Sequence, residues 1–135
     1  MDTSPRPLTD RLMDDHDRVR ATLTQLDDYL DGDRAPADME FSRLRWSLVR
    51  ELATHLAVER AAYPGVKASL RGDTLYRGLD RALDEDLSAH MGRWTPARIQ
   101  GEWRHYRSEA RLLARRLRRR MAYEESALFP IMTAR

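Results

Sequence analysis

Residues 41–62 constrain the fold more than any other stretch, because their interior-facing positions mix apolar and ionisable side chains. At steps of three and four residues these positions form one helical stripe, made up of Phe41, Leu44, Leu48, Leu52, His55, Glu59 and Ala62. Such a stripe faces the interior of a helical protein, and two of its members are an imidazole and a carboxylate. Burying a polar group without a partner costs about 2–7 kcal/mol. The rest of the chain must therefore supply interior partners for His55 and Glu59.

Three further segments show the same helical period, and together with the first they predict an all-α protein. We expect helices over about residues 9–30, 38–63, 73–94 and 95–128. Asp38 and Thr95 are suited to cap the second and fourth helices, whereas Pro64-Gly65 is expected to end the second. Gly101 marks a point where the fourth would bend or break. Four helices with short connections predict an antiparallel, up-down-up-down four-helix bundle.

Composition limits where such a bundle works and what it binds. The 135 residues suit one domain, with residues 1–8 as a flexible tail and 9–135 as the bundle. No apolar run approaches the roughly 18 residues of a membrane span, and the start lacks the apolar region of a signal peptide. We therefore expect a cytoplasmic protein without membrane contact. The absence of cysteine excludes thiolate sites, so any metal must be held by nitrogen and oxygen.

The two interior histidines of the first and second helices are expected to meet. His16 and His55 lie at similar distances from the turn at residues 31–36. Because a helix rises about 1.5 Å per residue, an antiparallel hairpin places both imidazoles at nearly one height. Interior histidine and glutamate side chains at one height are the donors of a non-haem iron or di-iron site. The alternative, satisfied core histidines with no metal, stays open.

Three short motifs occupy the ends of these stripes. They are Asp15-His16-Asp17, then His55-Leu-Ala-Val-Glu59 followed by Tyr63-Pro64, and finally Glu124-Glu125-Ser-Ala-Leu128-Phe129-Pro130. The motifs resemble those of the hemerythrin-like, or HHE cation-binding, family over most of the chain. The resemblance implies a four-helix bundle that holds non-haem iron, often as a di-iron pair. It also implies oxygen or nitric oxide binding, iron handling or sensing.

Two positions depart from the pattern of that family. Arg120 stands where the family has a histidine, four residues before Glu124, and a guanidinium has no lone pair to donate to a metal. The family's third-helix histidine falls near Asp86, with His90 one turn later. The ligands that remain could hold one metal, as a mononuclear or degenerate di-iron site: His16, His55, Glu59 and Glu124, with Asp86 and His90 as further candidates.

Arg120 also supports a reading without any cofactor. Its guanidinium could pair bidentately with Glu59 or Glu124 and replace the charge of the metal. One hypothesis is therefore a metal-binding or sensing domain, with a small gaseous ligand if iron is bound. The other is a metal-free bundle that acts as a regulatory or protein-interaction scaffold. An iron-dependent oxidase or peroxidase-like activity needs open metal positions, and Arg120 argues against it.

The fourth helix is rich in arginine outside its apolar stripe. We interpret this as a solvated face that pairs with acidic residues of the first and third helices, or as a contact face for an acidic or phosphate-rich partner. No nucleic-acid-binding motif accompanies it, so nucleic acid is not expected. The three tryptophans are expected to pack in the core or at helix ends. The arginines of this face are Arg104, Arg107, Arg111, Arg115, Arg116, Arg118 and Arg119.

Overall fold

The computed structural model describes residues 7–70 and 82–130, apart from the side chains of residues 60 and 62–70. These parts are helical, without strands, as the periodic stripes predict. The elements are α1 (Leu8–Leu30), α2 (Met39–Leu70), α3 (Leu83–Arg93), α4 (Pro96–Gly101) and α5 (Trp103–Tyr123), followed by a π-helical turn (Glu124–Leu128).

Local sequence signals set the helix boundaries where they were expected. The Asp38 carboxylate accepts a hydrogen bond from the Phe41 backbone N–H (3.1 Å) at the start of α2. Thr95 caps α4 in the same way, by accepting from the Arg98 N–H (3.2 Å). The predicted interruption near Gly101 is confirmed, because Glu102 separates α4 from α5 with a non-helical backbone.

The second helix is longer than the sequence predicts. It continues through Pro64-Gly65 to Leu70, so the predicted end at Tyr63 is wrong. A proline inside a helix removes one backbone hydrogen bond and costs about 3 kcal/mol. A helix of 32 residues retains enough of its other hydrogen bonds to continue past that loss. The predicted start of the third helix, near Asp73, lies outside the described residues.

The core has two parts along the bundle. The part nearest the α1–α2 turn is aromatic and contains Leu26, Leu30, Phe41, Leu44, Trp94, Ile99, Trp103 and Tyr106. The other is aliphatic and contains Val19, Leu23, Leu83, Leu113, Ala114, Leu117 and Met121. Trp94 and Trp103 are interior, as predicted. The prediction for Trp46 is wrong, since 54% of its surface is exposed.

Several arginines of α5 pair with acidic groups of neighbouring elements. Arg111 contacts Asp31 (3.1 Å) after α1, Arg118 contacts Asp27 (2.7 Å) in α1, and Arg116 contacts Asp86 (2.7 Å) in α3. These pairs agree with the interpretation of a solvated, acid-paired face. Pairs of this kind at the surface each contribute at most about 1 kcal/mol. Within the described residues, no helix is both long and apolar enough to cross a membrane.

Neighbouring leucines of α5 provide a test of this packing. Leu113 is 6% exposed in the aliphatic core, whereas Leu112 is 49% exposed. We expect Leu113→Ala to lower the free energy of unfolding by about 2–5 kcal/mol, because it leaves a cavity. Leu112→Ala should stay within about 0.5 kcal/mol of the parent. Urea denaturation of both variants measures the difference, and equal losses would contradict the assigned face of α5.

Candidate metal centre

The imidazoles of His16 and His55 meet in the interior, as their heights predict. His16 lies on α1 and His55 on α2, and both side chains are buried. Their Nε2 atoms are 2.9 Å apart, with the ring planes at 62°. Two nitrogen lone pairs at this separation repel unless a proton or a cation lies between them. The pair therefore needs either a shared proton or a cation at its centre.

Two carboxylates complete the cluster from α2 and from the π-helical turn. Glu59 and Glu124 are each 1% exposed. Glu59 Oε1 lies 2.5 Å from His55 Nε2, and Glu124 Oε1 lies 3.1 Å from His16 Nε2 and 3.9 Å from His55 Nε2. One ligand atom from each of the four residues lies within 4.8 Å of the other three. Two donors held about 2.0–2.2 Å from one ion are at most about 4.4 Å apart, and the separations of 2.9, 3.1 and 3.9 Å meet this limit.

Glu59 Oε1 is buried beside His55 without a well-aligned hydrogen bond, although His55 Nε2 is only 2.5 Å away. The contact is an ion pair when the imidazole is protonated, and it raises the pKa of His55. The donor set of two imidazole nitrogens and two carboxylate oxygens also fits a divalent transition metal.

The outward-facing nitrogen of each histidine is held by a further carboxylate. His16 Nδ1 lies 2.6 Å from Glu125 Oε2, and His55 Nδ1 lies 3.3 Å from Asp15 Oδ2. A carboxylate acceptor places the N–H on Nδ1 and leaves the Nε2 lone pair to face inwards. Arg20 donates in turn to Glu125. Both imidazoles are therefore fixed in the orientation of a metal ligand.

The π-helical turn brings consecutive glutamates to the same histidine. The Phe129 N–H donates to the Glu124 carbonyl, an i to i+5 bond that widens the turn. Glu124 then reaches His16 Nε2 while Glu125 reaches His16 Nδ1. The Phe129 ring stacks on the His16 imidazole, with centroids 5.2 Å apart. The Glu-Glu-x-x-Leu-Phe sequence thus encloses His16 from three directions.

Arg120 borders the cluster from α5, and 11% of its side chain is exposed. Its Nη2 lies 3.2 Å from Glu59 Oε2, and its Nε lies 3.9 Å from Glu124 Oε2. A third partner, Asp84 of α3, lies 3.1 Å from Nη1. Burial opposes the charge of Arg120, but these carboxylates outweigh it and raise the pKa of the guanidinium above its usual value.

Protonation of the cluster depends on the same contacts. Burial alone would lower the pKa of His55, but the Glu124 and Glu59 carboxylates outweigh burial and raise that pKa from 6.5 to about 10. Burial raises the pKa of Glu59 to about 7. In the absence of a metal, a proton on His55 Nε2 supplies the positive charge between the two imidazoles.

The site has little free space. A void of about 20 Å³ borders His55, Glu59 and Glu124 and is otherwise walled by aliphatic side chains, Arg120 and Asp84. A volume of this size holds about one water molecule. The void therefore has room for about one water molecule beside the cluster.

The two further candidates, His90 and Asp86, lie outside the cluster, as does the fourth histidine, His105. His90 is buried, but its Nδ1 contacts Glu109 Oε2 (2.6 Å) and its ring stacks on Tyr106. Asp86 is half exposed and pairs with Arg116. His105 is exposed, 3.9 Å from Glu102. The structure thus brings together the four principal candidates and places these histidines and Asp86 elsewhere.

Sequence reasoning missed the residues that support the ligands. Asp15 and Glu125 orient the two histidines, and Asp84 holds Arg120. A signal was present for the first two, because each lies directly beside a candidate ligand in the sequence. Asp84 carried no such signal, since its role depends on how α3 packs against α5.

The proton on His55 predicts how the stability of metal-free protein varies with pH. Because its folded pKa exceeds the unfolded value of 6.5, its contribution is fully present below about pH 6.5 and is lost as pH rises through about 10. Glu59, also raised, acts with the same sign. We therefore expect the Tm of chelator-treated protein to fall between about pH 7 and 10 more steeply in the parent than in His55→Gln. The control, His105→Gln, alters an exposed histidine and should keep the parental slope. Equal slopes in parent and His55→Gln would contradict the assigned proton.

Comparison with known proteins adds one finding to this geometry. No curated protein and no solved structure matches the chain. The family model described as the hemerythrin HHE cation binding domain matches residues 8–132. That range contains all four clustered residues and both of the carboxylates that orient the histidines. The chain belongs to the hemerythrin HHE cation-binding domain family.

Proposed function

We propose that this protein binds one divalent transition metal, with iron as the physiological ion, through His16, His55, Glu59 and Glu124. One observation carries the proposal. Both histidines direct Nε2 at a common position while a carboxylate holds each Nδ1, which is the arrangement of metal-bound imidazoles. When bound, iron would supply a Lewis-acidic centre for a small ligand such as oxygen or nitric oxide. The protein residues provide its charge balance and its enclosure.

The position of Arg120 favours one metal over two. Glu59 and Glu124 each direct Oε1 to the histidines and Oε2 to Arg120. A second ion would have to bind at the Oε2 atoms, where the guanidinium already lies. Arg120 therefore neutralises the outer oxygens and leaves the inner ones for one ion. The resulting role is mononuclear metal binding or sensing.

The scaffold that supports this proposal is an antiparallel, up-down-up-down bundle. Contacts between α1 and α5 link residue 27 to 118 and residue 30 to 111, so numbering rises along one helix as it falls along the other. The pairs of residues 16 with 55 and 22 with 51 relate α1 to α2 in the same sense. Residue 90 contacts residue 109, and residue 84 contacts residue 120, so α3 and α5 also run in opposite directions.

A metal-free bundle is the second candidate function, because Arg120 already contacts both glutamates. In that case the pairs of Arg120 with Glu59, Glu124 and Asp84 stabilise a scaffold that binds a protein partner, and the exposed arginines Arg104, Arg115 and Arg119 offer a basic contact face. This candidate requires the proton on His55 to remain the only charge between the imidazoles. It also requires the cluster to bind no metal at physiological concentration.

Metal analysis distinguishes these two candidates. We expect protein produced with added iron to contain one metal ion per chain, and His55→Gln to contain almost none, because it removes one of four ligands. If the parent carries no metal and Arg120→His takes it up, the second candidate is correct. His105→Gln, which changes an exposed histidine, is the matched control and should load like the parent.

Removal of Glu125 tests the orientation of His16. Glu125→Gln should weaken metal binding by about 10–100-fold, since the amide is a poorer acceptor for the Nδ1–H of His16. Asp17→Asn is the control, because Asp17 is next to His16 but 69% exposed. Competition with a chromophoric chelator measures both affinities. Similar affinities for the two variants would show that Glu125 does not support the ligand.

Arg120 is tested by removing its charge from metal-free protein. Arg120→Leu removes the cation that faces two buried glutamates, and we expect a loss of about 3–5 kcal/mol in the free energy of unfolding. Arg119→Leu, at the exposed neighbouring position, should change it by about 0.5 kcal/mol or less. Urea denaturation in the presence of a chelator makes the comparison. If Arg120→Leu has the same free energy of unfolding as the parent, Arg120 does not stabilise the glutamates, and neither candidate function can depend on it.

A further inference from the structure

A second cavity, separate from the metal centre, lies among α1, α2, α3 and α5. Its volume is about 370 Å³, within the roughly 300–1,000 Å³ of small-molecule sites. None of the four clustered residues lines it. Most of its wall is aliphatic, including Leu23, Leu48, Leu52, Leu87, Leu113 and Leu117. A cavity of this composition suits an apolar chain.

One buried cation lines this cavity. Arg45 of α2 is 5% exposed, and its Nη2 donates to the Trp94 carbonyl (3.0 Å). Its Nε is buried without a hydrogen-bond partner, and the guanidinium lies 5.4 Å from the centre of the Tyr106 ring. Among the residues that the structure describes, no carboxylate forms an ion pair with Arg45. A buried charge without a counter-ion costs several kcal/mol.

The carboxylates on the same wall do not compensate this charge. Asp27 pairs with Arg118 (2.7 Å), and Asp84 pairs with Arg120 (3.1 Å). Each is thus neutralised by an arginine of α5. The cavity therefore combines an apolar wall with one unneutralised guanidinium.

We propose that this cavity binds an apolar monocarboxylate, such as a medium-chain fatty acid. The carboxylate pairs with Arg45 through a charge-assisted hydrogen bond at the free Nε, and the alkyl chain packs against the leucines. Trp46 lines the cavity although 54% of its surface is exposed. Its exposure marks the side from which a ligand enters.

Decanoate and decan-1-ol form a matched pair of probes, because they share an alkyl chain and differ in the carboxylate. Isothermal titration with decanoate below its micellar concentration should show one site per chain. Arg45→Gln should weaken decanoate binding at least about tenfold and leave decan-1-ol binding unchanged. Arg43→Gln is the matched control, since Arg43 is on the same helix and 73% exposed.

A second variant distinguishes the loss of the positive charge from a disturbance of the fold. Arg45→Lys keeps a cation and should retain decanoate binding within a few-fold of the parent. Retained decan-1-ol binding by Arg45→Gln shows that its cavity is intact. The proposal is overturned if the parent does not bind decanoate, or if Arg45→Gln binds decanoate as tightly as the parent. Equal weakening of both probes by Arg45→Gln would overturn it too.

Discussion

The burial of two imidazoles and two carboxylates at one level of the bundle is the constraint on which the other features depend. These groups come from α1, α2 and the turn after α5, so their meeting fixes the relative heights of three elements. Burying ionisable groups is costly unless most of their polar atoms have partners. The surrounding carboxylates and Arg120 supply such partners. The arrangement of the cluster and the packing of the helices therefore depend on each other.

Charge alternates outward from the centre of this cluster. The inner oxygens of Glu59 and Glu124 face a position that takes a cation, and their outer oxygens face Arg120. Arg120 is balanced in turn by Asp84. Arg120 thus neutralises the glutamates, and Asp84 neutralises Arg120. This alternation of charge explains how so many charged groups are buried together. If the proposed metal binds, an arginine at this position leaves room for one ion and not for two.

Periodicity and turn counting predicted the helical class and the meeting of His16 with His55. They succeed because helical rise and stripe position depend on local geometry alone. They failed at Pro64, where the remaining hydrogen bonds carry the helix onward, and at the π-helical turn, whose widened bond joins Glu124 to Phe129. Both failures concern a local preference that the surrounding structure overrides.

The inward-facing Arg45 was missed for a different reason. It lies next to the predicted stripe, where a long side chain can turn inwards or reach solvent, and the period alone does not distinguish these outcomes. Its environment depends on Trp94 and Tyr106, which come from later parts of the chain. The cavity that it lines shares a wall with the void at the metal centre, formed by Leu52, Leu56, Asp84 and Leu117. Because Asp84 also holds Arg120, the ion pair that balances the metal centre lies in the wall between the two spaces. A substitution in that wall would affect both spaces, whereas substitutions at Arg45 and His55, outside the wall, test the two proposals separately.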